Sequence, residues 1–163
     1  MENDIKKYQE FNNLRKNMFG NVELPEVSER FWEFVKKVNW RVAGEHKYDY
    51  IIQVISPYFT VKEFEQFSNE YDLLYKLAYG MLKEAWLKEP GLGVSDDGYS
   101  DLLSTIIGYG KDFYYSILEA HLEGDHTTIK EMADNSDYKE NFGYIFQILS
   151  NQAHMNKWVK GKK

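Results

Sequence analysis

A chain of 163 residues, 43% hydrophobic and 28% charged with no cysteine, is long enough for one packed core and too apolar to remain disordered. It excludes disulfides, thiol catalysis and thiolate metal sites. The net charge is −6, and setting Lys157, Lys160, Lys162 and Lys163 aside from the 20 Lys and Arg leaves 16 against 26 acidic residues, a balance of −10. Such a body repels phosphate backbones and argues against nucleic acid as a partner.

The first residues contain no apolar run of signal-peptide length and no stretch is long enough to span a bilayer, so a cytoplasmic, membrane-free protein is expected. The 13 Tyr, 10 Phe and 4 Trp are used first in the core, and any surplus favours protein interfaces.

Residues 1–20 read as a weakly amphipathic, peripheral helix carrying Ile5, Tyr8 and Leu14, followed by a loop through Gly20, Asn21 and Pro25. A second helix is expected to start near Pro25, with Val27, Phe31, Phe34, Val35 and Val38 on its apolar face, Trp32 and Trp40 extending the stripe, and Gly44 ending it. Between His46 and Ser56 the spacing of Tyr48, Ile51, Ile52 and Ile55 is helical, and Pro57 is expected to stop it by pushing Ser56 out of the helical region. Thr60 and Glu63 form a capping box. Behind it Phe64, Phe67, Tyr71, Leu74, Ala78, Met81 and Ala85 alternate steps of three and four, the seam of a long helix packed lengthwise.

Pro90 to Gly110 is the organising stretch. Gly91, Gly93 and Gly98 surround Ser95, Asp96 and Asp97 at a helix start, and Tyr99, Leu102, Leu103, Ile106 and Ile107 form the apolar face behind them. Gly108 and Gly110 predict a break before the face of Phe113, Tyr114, Ile117, Leu118 and His121. Gly124 ends that helix, Asp125 or Thr127 caps a short one over 129–133, Asn135 to Asp137 make a turn, and a last helix has Tyr138, Phe142, Ile145, Phe146 and Leu149 on one face. Residues 153–163 read as a basic tail. No strand-like alternation occurs, so the fold class is all-α: one irregular bundle of about seven or eight helices.

The phrase Ser95-Asp96-Asp97-Gly98-Tyr99, with the apolar helix after it, Gly110 to Phe113, Ile117-Leu118 and the upstream Phe31-Trp32, resembles the bacterial family catalogued as domain of unknown function 4240. The similarity covers residues 31–122 and departs from the family pattern at Leu102, Leu103 and Thr105. It implies a helical fold organised around the aspartate loop and names no reaction.

Two readings of that loop stand side by side. Ser95 as N-cap with Asp96 and Asp97 in the first turn stabilises the helix, by roughly 0.5–1 kcal/mol for each contribution. Alternatively Asp96 and Asp97, joined by Asp101, supply hard oxygen ligands to a divalent cation, the one cofactor the chain suggests, in a small enzyme or ligand sensor. Trp86, Tyr99 and Tyr109 are candidates for lining a groove beside the loop, for a ligand or a peptide. Gly91-Leu-Gly93 is no dinucleotide fingerprint, and His121 and His126 are one residue too far apart for a helical zinc pair. Acidity and tyrosine content favour a non-enzymatic protein-binding domain, such as an immunity-protein-like antagonist of a basic partner, with association that weakens in salt; self-association is a second form of the same expectation.

Overall fold

A computed structural model describes residues 27–39, 50–88, 91–138 and 142–149, apart from the side chain of Ile52. The described residues form helices and no strand, and their buried side chains make one hydrophobic core. The expectations for residues 1–20, Pro25, Trp40, Gly44 and the tail at 153–163 lie outside them.

Helix α1 spans Glu29–Val38. Its cap is Ser28, whose Oγ accepts from the Phe31 amide at 3.2 Å, so the helix begins later than proline placement suggested. Glu29 and the Lys36–Lys37 pair complement the dipole at the two ends. The helix ends where Asn39 adopts a left-handed conformation. Of the expected face Phe31, Phe34, Val35 and Val38 are buried, as is Trp32, while Val27 precedes the helix and is half-buried.

Glu70 holds the same cap from the neighbouring helix. Its carboxylate, 3% exposed, accepts from the Ser28 amide and hydroxyl, both at 3.1 Å, and from Gln66 Nε2 at 2.9 Å. Glu70→Ala is therefore expected to destabilise the fold by about 1.5–3 kcal/mol, since the Ser28 donors lose a charged acceptor. Urea denaturation measures this, and a loss no larger than that of an exposed control such as Asp72→Ala contradicts it.

Residues Ile51–Ile55 form a π-helical turn that runs into a 3-10 turn, Ser56–Tyr58. Pro57 does not push its neighbour out of the helical region, because Ser56 keeps φ −55° and ψ −33°. The proline opens a tighter turn where its missing N–H costs nothing, and Phe59 in extended backbone ends it. Arg30, on α1, ties this corner to the helix that follows it, with its guanidinium 2.7 Å from Glu63 Oε2, donating to Tyr58 O, and lying over the Phe59 ring.

Helix α2, Val61–Leu87, starts at the expected capping box: Thr60 Oγ1 accepts from the Glu63 amide at 3.1 Å and Glu63 Oε1 from the Thr60 amide at 3.0 Å. Its seam is buried from Phe64 to Met81, while Ala85 is half-buried and Gly80 exposed. Along it pack α3 (Asp96–Gly108) and α4 (Lys111–Leu122). The break between them falls at the paired glycines, where Gly110 has φ +107°. Helix α3 is buried on nearly every side from Gly98 to Gly108, which makes it the central element.

Helix α5, Thr127–Asp134, and helix α6 (144–149) close the core. Tyr138 precedes α6 in non-helical backbone instead of sharing its face. Phe146 lies 5.6 Å from Phe34 and 6.0 Å from Phe31, ring centre to ring centre.

Several of the tyrosines join helices inside the fold, while Tyr50, Tyr58 and Tyr144 are exposed. Tyr71, Tyr75 and Tyr79 stand one turn apart on α2, and Tyr71 and Tyr75 reach Ser104 and Ser100 on α3, at 2.7 and 3.0 Å. Tyr99 and Tyr114 donate to the carbonyls of Tyr79 and Leu74, each at 2.8 Å. Burial pushes the hydroxyls of Tyr71, Tyr99 and Tyr114 above the ordinary phenol range. All three remain protonated and join helices through hydrogen bonds.

Candidate functional site

At the start of α3 the loop is built from within. Trp86, in the last turn of α2, stacks on Tyr99 at 4.4 Å and 8° and donates from Nε1 to Val94 O at 3.0 Å. Gly91 has φ +63°, and a Cβ there would come within 2.7 Å of the Trp86 carbonyl oxygen, so this turn requires glycine.

Ser95 caps α3 by accepting from the Gly98 amide at 3.1 Å. Asp96 and Asp97 lie exposed in the first turn, where the helix dipole favours them, and Asp101 is half-buried. Among the described residues no group of three or more histidine or acidic side chains is arranged to hold a metal. Asp96, Asp97 and Asp101 are thus not brought together as a ligand set. Ser95, Trp86 and Tyr99 serve the architecture of the loop, with Tyr99 fully buried against the half-buried Trp86 ring.

Tyr109 stands elsewhere. It is the C-cap of α3, a helix length of roughly 20 Å from the aspartates. It lines a cleft of about 170 Å³ together with Phe113, Thr128, Glu131, Met132, Asn135 and Asp137.

The walls follow from local chain chemistry. Phe113, in the first turn of α4, meets the Tyr109 ring edge-on at 5.3 Å and 70°. On the far side α5 closes with paired hydrogen bonds, Asp137 N–H to Met132 O at 2.7 Å and Ser136 N–H to Ala133 O at 3.2 Å, around Ser136 at φ +51°. That reversal carries Asp137 to Tyr109, whose hydroxyl donates to Oδ1 at 2.8 Å. Glu131 lines the same cleft, and among the described residues no ion pair neutralises it or Asp137.

The cleft is smaller than the roughly 300–1,000 Å³ of most small-molecule sites, and suits one side chain. Two aromatic rings, two carboxylates and the carbonyl end of α5 favour a cation there. Sequence reasoning placed Tyr109 beside the aspartate loop, at the wrong end of α3, and missed Glu131 and Asp137, because their meeting with Tyr109 depends on the turn at Ser136.

A second polar pair was also missed. Helix α4 ends at Leu122, and Gly124, at φ +76°, reverses the chain through Asp125 N–H to Ala120 O and Gly124 N–H to His121 O. His126 thereby folds back on His121, with Nδ1 of His121 2.8 Å from Nε2 of His126. The helical spacing rule does not apply across this turn. Gly124 was the available signal.

The fold and the cleft define an all-α domain with an acidic, aromatic-walled surface site. Comparison with known protein families, with characterised proteins and with solved structures gives no match for this chain. Among the described residues no helix is long and apolar enough to cross a membrane.

Proposed function

We propose that this chain is a non-enzymatic protein-binding domain whose cleft at Tyr109, Phe113, Glu131 and Asp137 receives a lysine or arginine side chain from a basic protein partner. The observation that carries the reading is the pairing of two carboxylates with two aromatic rings in a space of about 170 Å³, at the helix end that attracts cations. The net charge of −6 adds long-range attraction to a basic surface, which raises the association rate and is screened by salt. An immunity-protein-like antagonist in the bacterial cytoplasm is the concrete form this takes. The likeness of the Ser95–Tyr99 loop to the domain of unknown function 4240 family belongs to the same proposal.

The experiment is a nitrogen-15 amide titration with the peptide acetyl-Gly-Arg-Gly-amide in low salt. Shifts are expected at Tyr109, Phe113, Glu131 and Asp137, and the double variant E131Q/D137N is expected to weaken binding at least tenfold while remaining folded. Scattered shifts, or equal shifts in the variant, would remove the cleft from the account.

A further inference from the structure

The ring centres of His121 and His126 are 5.1 Å apart, little more than their 2.8 Å nitrogen separation plus one ring radius at each end, so the two nitrogens point almost straight at each other. Such a hydrogen bond needs one protonated nitrogen and one lone pair. It survives with the pair neutral or carrying one extra proton, and it fails when both rings are cationic, since neither then accepts.

His121 sits in the last turn of α4 and His126 is the residue from which α5 starts. We infer that His121 and His126 form a proton-sensitive latch, which fastens the start of α5 to the end of α4 and opens when the pair takes its second proton.

The surrounding charges set how many protons the pair accepts. Glu84, on α2, faces His121 and is itself 3.9 Å from Lys88. Asp125 adjoins His126, and its carboxyl is held below the usual range by hydrogen bonds from the hydroxyl and amide of Thr127. These two acids favour the first added proton. Burial, followed by the charge of His126, holds the His121 imidazole below the ordinary histidine range against the pull of Glu84.

A folded value below the unfolded one means that the latch's stabilisation is complete above the unfolded value, near pH ~6.5. It is lost as pH falls through the folded value. Helix α5 keeps Ile129, Met132 and Ala133 buried and the turn through Asp125 in place, but loses the side-chain tie between the two helices. The latch stands on its own geometry and does not depend on what the cleft binds. If the cleft reading also holds, acid weakens that site through Glu131 and Met132 on α5.

The test is a nitrogen-detected titration of the imidazoles in the full chain from pH 8 to 4.5, together with amide exchange in α5 corrected for its intrinsic pH dependence. Two separated titration steps are expected, the second below the ordinary histidine range, and α5 protection should fall about tenfold or more through that step. His126→Gln keeps one hydrogen-bonding group without a second charge, and in it the acid loss of protection should disappear. Independent titration of both rings at ordinary values, or an undiminished loss in His126→Gln, would overturn the latch.

Discussion

Phe34→Ala is expected to lower the unfolding free energy by about 3–5 kcal/mol, since a buried aromatic ring is lost and its space refills only in part. Phe34 is fully buried and meets Phe59 at 5.3 Å, Phe64 at 5.9 Å, Phe67 at 5.4 Å and Phe146 at 5.6 Å. These partners come from three separate parts of the described chain, so the ring is where α1 meets the 3-10 corner, α2 and α6. A loss of this size is a large fraction of the roughly 5–15 kcal/mol that holds an ordinary domain, and the variant should unfold at much lower urea. Tyr58→Ala, at a ring that is 62% exposed, serves as the control and should change stability far less. Comparable midpoints for the two variants would mean that the aromatic centre is misplaced.

Gly143→Ala is the second large effect, expected to cost about 1–3 kcal/mol by overpacking. A Cβ at Gly143 would stand 2.7 Å from Tyr71 Cε1 and 2.8 Å from its hydroxyl oxygen. The ring cannot simply move aside, because its hydroxyl is bonded to Ser104, which also accepts from the Gly143 amide at 3.1 Å. The added methyl therefore strains a three-membered, largely buried junction between α2, α3 and the segment leading into α6. A double-mutant cycle with Tyr71→Phe should show coupling above about 0.5 kcal/mol. Simple additivity would contradict the junction.

Much of this fold was legible because its signals are local. The capping box at Thr60 and Glu63, the three-and-four seam after it, and the glycines at 108, 110 and 124 each act within a turn or two of the chain. What sequence reasoning missed depends on distant partners. Glu70, beside the seam, reads as a solvent-facing charge until Ser28 is brought to it by the packing of α1. Proline placement pointed to Pro25 as the helix start, whereas Ser28 has both an acceptor for its own helix and a carboxylate waiting across the interface. The aspartate pair was recognised with its cap, whereas Trp86 and Tyr109 could not be separated into loop support and cleft wall by spacing alone. Tyr109 gained its carboxylate neighbour only through the left-handed turn at Ser136.

The most direct measurement compares two peptides of equal length, acetyl-Gly-Arg-Gly-amide and its citrulline counterpart, which keeps the shape of arginine and removes its charge. Saturable shifts at Tyr109, Glu131 and Asp137 are expected with arginine, weakened by added salt and absent with citrulline. Equal binding of both peptides, or no binding of either at low salt, would contradict a cleft selected for cationic side chains.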